Sequence, residues 1–131
     1  MTVAADETLD TLLVFLATSC TQCAAHWDML SSLPGTLPLG TRACVITPSP
    51  AMEDVARARR LVPTGVGLHM GSETWFMYGV GQAGTIALVR SPRLGPGPWE
   101  SPGEVLGSTY LTDPEDLAAV LRRWLEKHPK G

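Results

Sequence analysis

The feature that most constrains this chain is the pair Cys20 and Cys23, a C-x-x-C set between an apolar strand and the start of a helix. Thr11 to Ala17 is a short continuous apolar run, the pattern of a strand buried on both faces of a parallel sheet. After the cysteines, Ala24, Trp27, Leu30 and Leu33 recur at helical spacing, so a helix is expected from Ala24 to Leu33, ended by Pro34, Gly35 and Pro38. This placement puts the first sulfur at a helix N terminus, where free amides favour the thiolate. Two cysteines three residues apart in such a turn can approach bonding distance with little backbone movement, so a reversible disulfide is feasible.

The rest of the chain extends this unit. Thr41 to Thr47 reads as a second buried strand, and Ser49 followed by Pro50 as the start of a helix through Leu61. The strand–helix–strand order makes the two strands parallel neighbours through a right-handed crossover. Val66 to Met70 reads as a brief edge strand and Ser72 as the cap of a short helix through Tyr78. Thr85 to Val89 and Glu104 to Tyr110 are two more strands. The segment between them holds four prolines and three glycines and no helix, so they are expected to be antiparallel. Asp113 and Pro114 open a last helix whose Leu117, Val120, Leu121 and Trp124 face the core. The expected architecture is an α/β three-layer sandwich, a mixed sheet of four or five strands with helices on both faces. Residues 1–10 are expected as a flexible N-terminal segment and residues 11–128 as one domain.

Composition narrows the function classes. With 131 residues, 44% hydrophobic and 18% charged, the chain suits one globular core. Its longest apolar stretch is far short of the roughly 20 residues a membrane helix needs. A net charge of −3 gives no basic field for phosphates, so nucleic acid is not an expected partner. Met1 to Asp10 lack the basic and then apolar pattern of a secretion signal. Met1 reads equally as a natural start and as an added start on an extracytoplasmic chain trimmed of a leader or anchor, and the compartment stays open.

The segments LLVFLATSCTQC, ACVITPSP, YGVGQAGTIALV and VLGSTY together resemble the thioredoxin-like superfamily. The resemblance is to its bacterial thiol:disulfide interchange branch, which includes methylamine-dehydrogenase accessory proteins and extracytoplasmic thiol reductases. It implies a thioredoxin-like fold and a thiol:disulfide oxidoreductase with no cofactor, acting on a protein thiol or disulfide and recharged by a redox partner. It also implies roles: Cys20 as exposed nucleophile, Cys23 as buried resolving thiol, and Thr21, Gln22, Ala83 and Gly84 as substrate contacts. Three departures stand out. Gly84, after Ala83, occupies the usual cis-proline position and is expected to loosen docking and widen the site. Val14 and Ser19 replace a buried acid and a tryptophan, and the intervening pair is Thr21 and Gln22 where thioredoxin has glycine and proline.

Other readings compete. Cys20 and Cys23 could be structural thiols in a noncatalytic binding module. With His26 and Cys44 they supply the residue types of a Cys3His zinc site, or of an iron–sulfur centre shared by two subunits. Cys44 otherwise reads as a buried apolar residue, and His26 as an exposed helix flank with a proton-shuttling alternative. No metal is assigned. Trp99, in the Pro/Gly segment, is either a partner contact or a loop tip folded onto the sheet, and the Arg57, Arg59, Arg60 run reads as a solvated helix face.

Overall fold

The computed structural model describes residues 7–129. Its sheet has five strands: β1 (Thr8–Phe15), β2 (Thr41–Thr47), β3 (Gly67–Met70), β4 (Thr85–Pro92) and β5 (Glu104–Tyr110). They lie in the order β3-β2-β1-β4-β5. β1 pairs parallel with β2, and β2 parallel with β3. β4 runs antiparallel to both β1 and β5, the latter as expected of a helix-free connection. β1 begins at Thr8, so Thr8, Leu9 and Asp10 of the expected flexible segment are strand, while residues 1–6 lie outside the described residues.

Alternation along the strands divides the core into two layers. Leu12, Val14 and Leu16 share one face with Ala43, Val45, Ile86 and Leu88. Leu13, Phe15, Cys44, Ile46, Ala87 and Val89 point to the other. The first face is covered by α1 (Ala24–Met29), the 3-10 turn after it, α2 (Leu33–Thr36) and α5 (Leu117–Lys127), through Trp27, Leu30, Leu33, Leu117, Val120 and Leu121. The second face is covered differently. Here α4 (Ser72–Met77) supplies Trp75, edge-on to Phe15 at 5.3 Å between ring centres, and the 93–103 segment folds back to add Trp99.

That segment is fastened by side chains. Thr74 Oγ1 donates to the Trp99 carbonyl at 2.7 Å, and the Tyr78 hydroxyl donates to the Pro98 carbonyl at 2.6 Å. The Arg42 guanidinium lies over the Trp99 ring, 4.9 Å from its centre, so Trp99 packs within the protein. Across the sheet, Arg90 grips Asp10 with two hydrogen bonds, Nε to Oδ1 at 2.9 Å and a terminal nitrogen to Oδ2 at 3.2 Å. The same terminal nitrogen donates to the His128 carbonyl at the end of α5.

Two helices depart from expectation. The helix after the cysteines does not stop at Pro34; a 3-10 turn at Leu30–Ser32 leads into α2, with Pro34 in its first turn, where a missing amide donor costs nothing. The helix expected from Pro50 is split into a 3-10 turn, Pro50–Met52, and α3 (Val55–Leu61). Glu53 between them is extended, and Asp54 is the true cap, accepting from the Arg57 amide at 3.1 Å. In α3 the arginines are exposed around buried Ala58, as expected of a solvated face. No helix among the described residues is long and apolar enough to cross a membrane.

Candidate active site

The candidate site lies where β1 ends. Beyond Phe15 the chain turns twice, with the Cys20 amide donating to the Ala17 carbonyl at 3.2 Å and the Cys23 amide to the Cys20 carbonyl at 3.4 Å. Cys20 and Cys23 are joined in a disulfide, their Cα atoms 5.5 Å apart. α1 starts at Ala24 with Cys23 as its cap residue, so the first sulfur stands one turn outside the helix rather than at its N terminus. The two cysteines are unequal. Cys23 is 1% exposed, whereas Cys20 is half-buried at the rim, followed by exposed Thr21 and Gln22.

A carboxylate that sequence reasoning missed fastens the approach to this turn. Glu53 accepts from the Thr18 amide at 3.0 Å and from the Thr18 hydroxyl at 2.5 Å. The Thr18 hydroxyl oxygen in turn accepts from the Asp54 amide at 3.3 Å. The break between Pro50–Met52 and α3 therefore places an acid against the residue two before Cys20. Its sequence separation of 35 leaves no local signal.

Gly84 is buried against the end of β1. Its amide donates to the Phe15 carbonyl at 2.7 Å, and its carbonyl accepts from the Leu111 amide at 3.0 Å. Its φ of +99° is a left-handed conformation that suits glycine. A Cβ at Gly84 would stand 2.7 Å from the Tyr110 ring and 3.3 Å from His26 Nε2. The expectation that glycine widens the site is thus corrected: side chains of Tyr110 and His26 fill the space. Ala83 beside it is half-buried, and its N–H and C=O have no hydrogen-bond partner among the described residues.

His26 is not on an exposed flank. It is 4% exposed, and the buried face of α1 follows Cys23, His26, Trp27 and Leu30, with Ala24 outside it. Counting from Cys23 rather than Ala24 would have revealed this face.

Cys44 is the remaining thiol, buried in the second core layer. Neighbouring strand positions point to opposite faces, so the sheet separates Cys44 from the disulfide, and the Cys3His set is not assembled. Among the described residues, no three His, Cys, Asp or Glu side chains gather as metal ligands. Burial pushes the Cys44 thiol up to about 12, an effect the Arg42 guanidinium only partly offsets. The sign of the consequence follows. Above pH 9.0 the unfolded chain loses this proton and the folded one keeps it, so stability falls as pH rises from about 9 toward about 12. The limiting slope is about 1.4 kcal/mol per pH unit. Denaturant midpoints of the disulfide-bonded protein on either side of pH 9.0 should drop accordingly, and Cys44→Ala should flatten the dependence. A slope unchanged in Cys44→Ala refutes this account.

A five-stranded mixed sheet in this order, with a C-x-x-C disulfide at the end of its central strand, defines the thioredoxin-like α/β fold. The structure is similar to the crystal structure of StoA from Bacillus subtilis, with a TM-score of 0.61 at 13% sequence identity, over 88% of this chain and 81% of that one. At that identity the likeness is one of fold. No family model matches the sequence, and no curated protein matches it.

Proposed function

We propose that the protein is a thiol:disulfide oxidoreductase in which Cys20 and Cys23 exchange a disulfide with a partner protein. The observation that carries the proposal is the unequal exposure of two bonded cysteines: Cys20 half-buried at the rim and Cys23 buried behind it. In the reduced protein the Cys20 thiolate attacks a partner disulfide and forms a mixed disulfide, releasing one partner sulfur as thiolate. The Cys23 thiolate then attacks Cys20, the internal disulfide closes, and the second partner sulfur leaves with its electron pair. Two electrons have passed to the partner, and a separate dithiol donor restores the reduced pair. In reverse, the same steps oxidise a partner dithiol.

Thr21 and Gln22 are proposed to meet the partner beside the attacked sulfur. At the neighbouring corner the backbone of Ala83 is proposed to hold an extended partner segment, with buried Gly84 shaping the corner from beneath. The free N–H and C=O of Ala83 support this role, because each can pair with such a segment. Both groups of Gly84 already have partners within the fold.

A second reading, a noncatalytic binding module, is favoured by the occupied space around Gly84, which makes this corner unlike a proline platform. Insulin separates the two. The oxidoreductase should accelerate insulin reduction by dithiothreitol, and the Cys20→Ser/Cys23→Ser double variant should match the uncatalysed rate. Wild-type protein no faster than that rate would support the binding module.

A further inference from the structure

His26 lies three residues past Cys23 on the buried side of α1. Residues three apart share a helix face, and helical side chains lean toward the N terminus of their helix, which is the direction of Cys23. Nε2 lies 2.6 Å from the Leu111 carbonyl oxygen. A carbonyl oxygen only accepts, so Nε2 carries the hydrogen, and in the neutral ring Nδ1 is a bare acceptor. That Nδ1 is buried and has no hydrogen-bond partner among the described residues. Buried polar atoms are nearly always paired, so an unpaired one calls for a reason, and a catalytic role is one such reason. With the disulfide closed, Cys23 has no proton to give. Reduction supplies one, three residues before His26 on the same face.

We propose that His26 is the proton acceptor for Cys23 in the reduced pair, an inference that rests on the exchange reaction proposed above. Once Cys20 has joined a partner sulfur, Nδ1 takes the proton from Cys23 Sγ. The resulting thiolate attacks Cys20 Sγ, the bond to the partner sulfur breaks, and that sulfur leaves with the electron pair. The imidazolium then returns its proton to the departing thiolate or to water. Val14, in the strand before the cysteines, offers no acid for this task. Other titratable groups on the elements around His26 are Cys20 and Asp28 in its own segment, Tyr110 with its ring centre 6.0 Å away, and Asp113 and Glu115 in the turn before α5. The Gly84 corner contributes backbone only.

His26→Gln isolates the base, because the glutamine amide can still donate to the Leu111 carbonyl while Nδ1 is lost. In the reduced protein, followed by ultraviolet thiolate absorbance against pH, the variant should move the midpoint of one thiol upward by about one pH unit. In single turnover with a disulfide substrate, capture by Cys20 should be unchanged and release of the mixed disulfide about tenfold slower or more. Superimposable thiol titrations overturn the proposal. Should the variant fail to fold, the His26 ring protons of the wild type are titrated by NMR in both redox states, and an identical midpoint in the two overturns it equally. A shifted thiol titration alongside a wild type that does not reduce insulin would refute the exchange reaction while leaving the His26–Cys23 proton coupling intact.

Discussion

Cys23→Ser is expected to turn the protein into a trap. The rim sulfur of Cys20 can still attack a partner disulfide, but serine at 23 cannot displace it, so the mixed disulfide accumulates one to one and turnover falls by about a thousandfold or more. Cys20→Ser should lose turnover to the same extent and trap nothing, because the remaining sulfur is 1% exposed and out of a partner's reach. Non-reducing electrophoresis and mass spectrometry after mixing with a disulfide-bearing protein distinguish the two outcomes. The asymmetry is what matters. Equal trapping by both variants would mean that either sulfur can receive a partner, contrary to the burial of Cys23.

The second large effect is on stability and concerns Gly84. Proline, the residue usual at this place in the fold, is expected to be among the worst substitutions here. The ring holds φ near −65°, opposite in sign to the +99° of Gly84. It also removes the N–H that donates to Phe15, and its Cβ would overlap the Tyr110 ring. Misplaced proline alone costs about 3 kcal/mol, and the lost buried hydrogen bond adds about 1 kcal/mol. Of the 5–15 kcal/mol typical of a whole domain, about 4 kcal/mol is a large share. Gly84→Pro should therefore unfold at much lower denaturant than the wild type. Gly84→Ala should fall between them, since alanine keeps the donor but meets Tyr110 and the unfavourable φ. A Gly84→Pro variant of wild-type midpoint would show that the corner can be rebuilt in the proline geometry.

Much of this architecture is legible in the residues. The strands announce themselves because β1, β2 and β4 are continuous apolar runs buried on both faces, and α5 because Leu117, Val120 and Leu121 keep one helical stripe. The C-x-x-C disulfide is equally local, set by a turn of four residues. What escapes the sequence depends on distant partners. His26 is buried because Leu111, 85 positions later, brings a carbonyl to it. Glu53 interrupts a helix that Pro50 would otherwise open, because Thr18 draws its carboxylate toward the cysteine turn. The consequence of glycine at 84 was legible only in part. Missing bulk suggests an opening, but which neighbours fill it is decided by the register of β5, which places Tyr110 opposite Thr85.

The grip of Arg90 has a bearing on how such a chain comes into being. Asp10 sits at the beginning of the central strand, 80 residues before the guanidinium that neutralises it, and the same nitrogen reaches the His128 carbonyl 38 residues further on. During ribosomal synthesis β1 therefore emerges 80 residues before the guanidinium that grips Asp10 has been translated. Burying the Asp10 carboxylate early is disfavoured, so an N-terminal fragment gains little by condensing alone. One side chain thus works as a late-arriving clasp, favouring assembly of the sheet as a unit once β4 and the end of α5 have emerged.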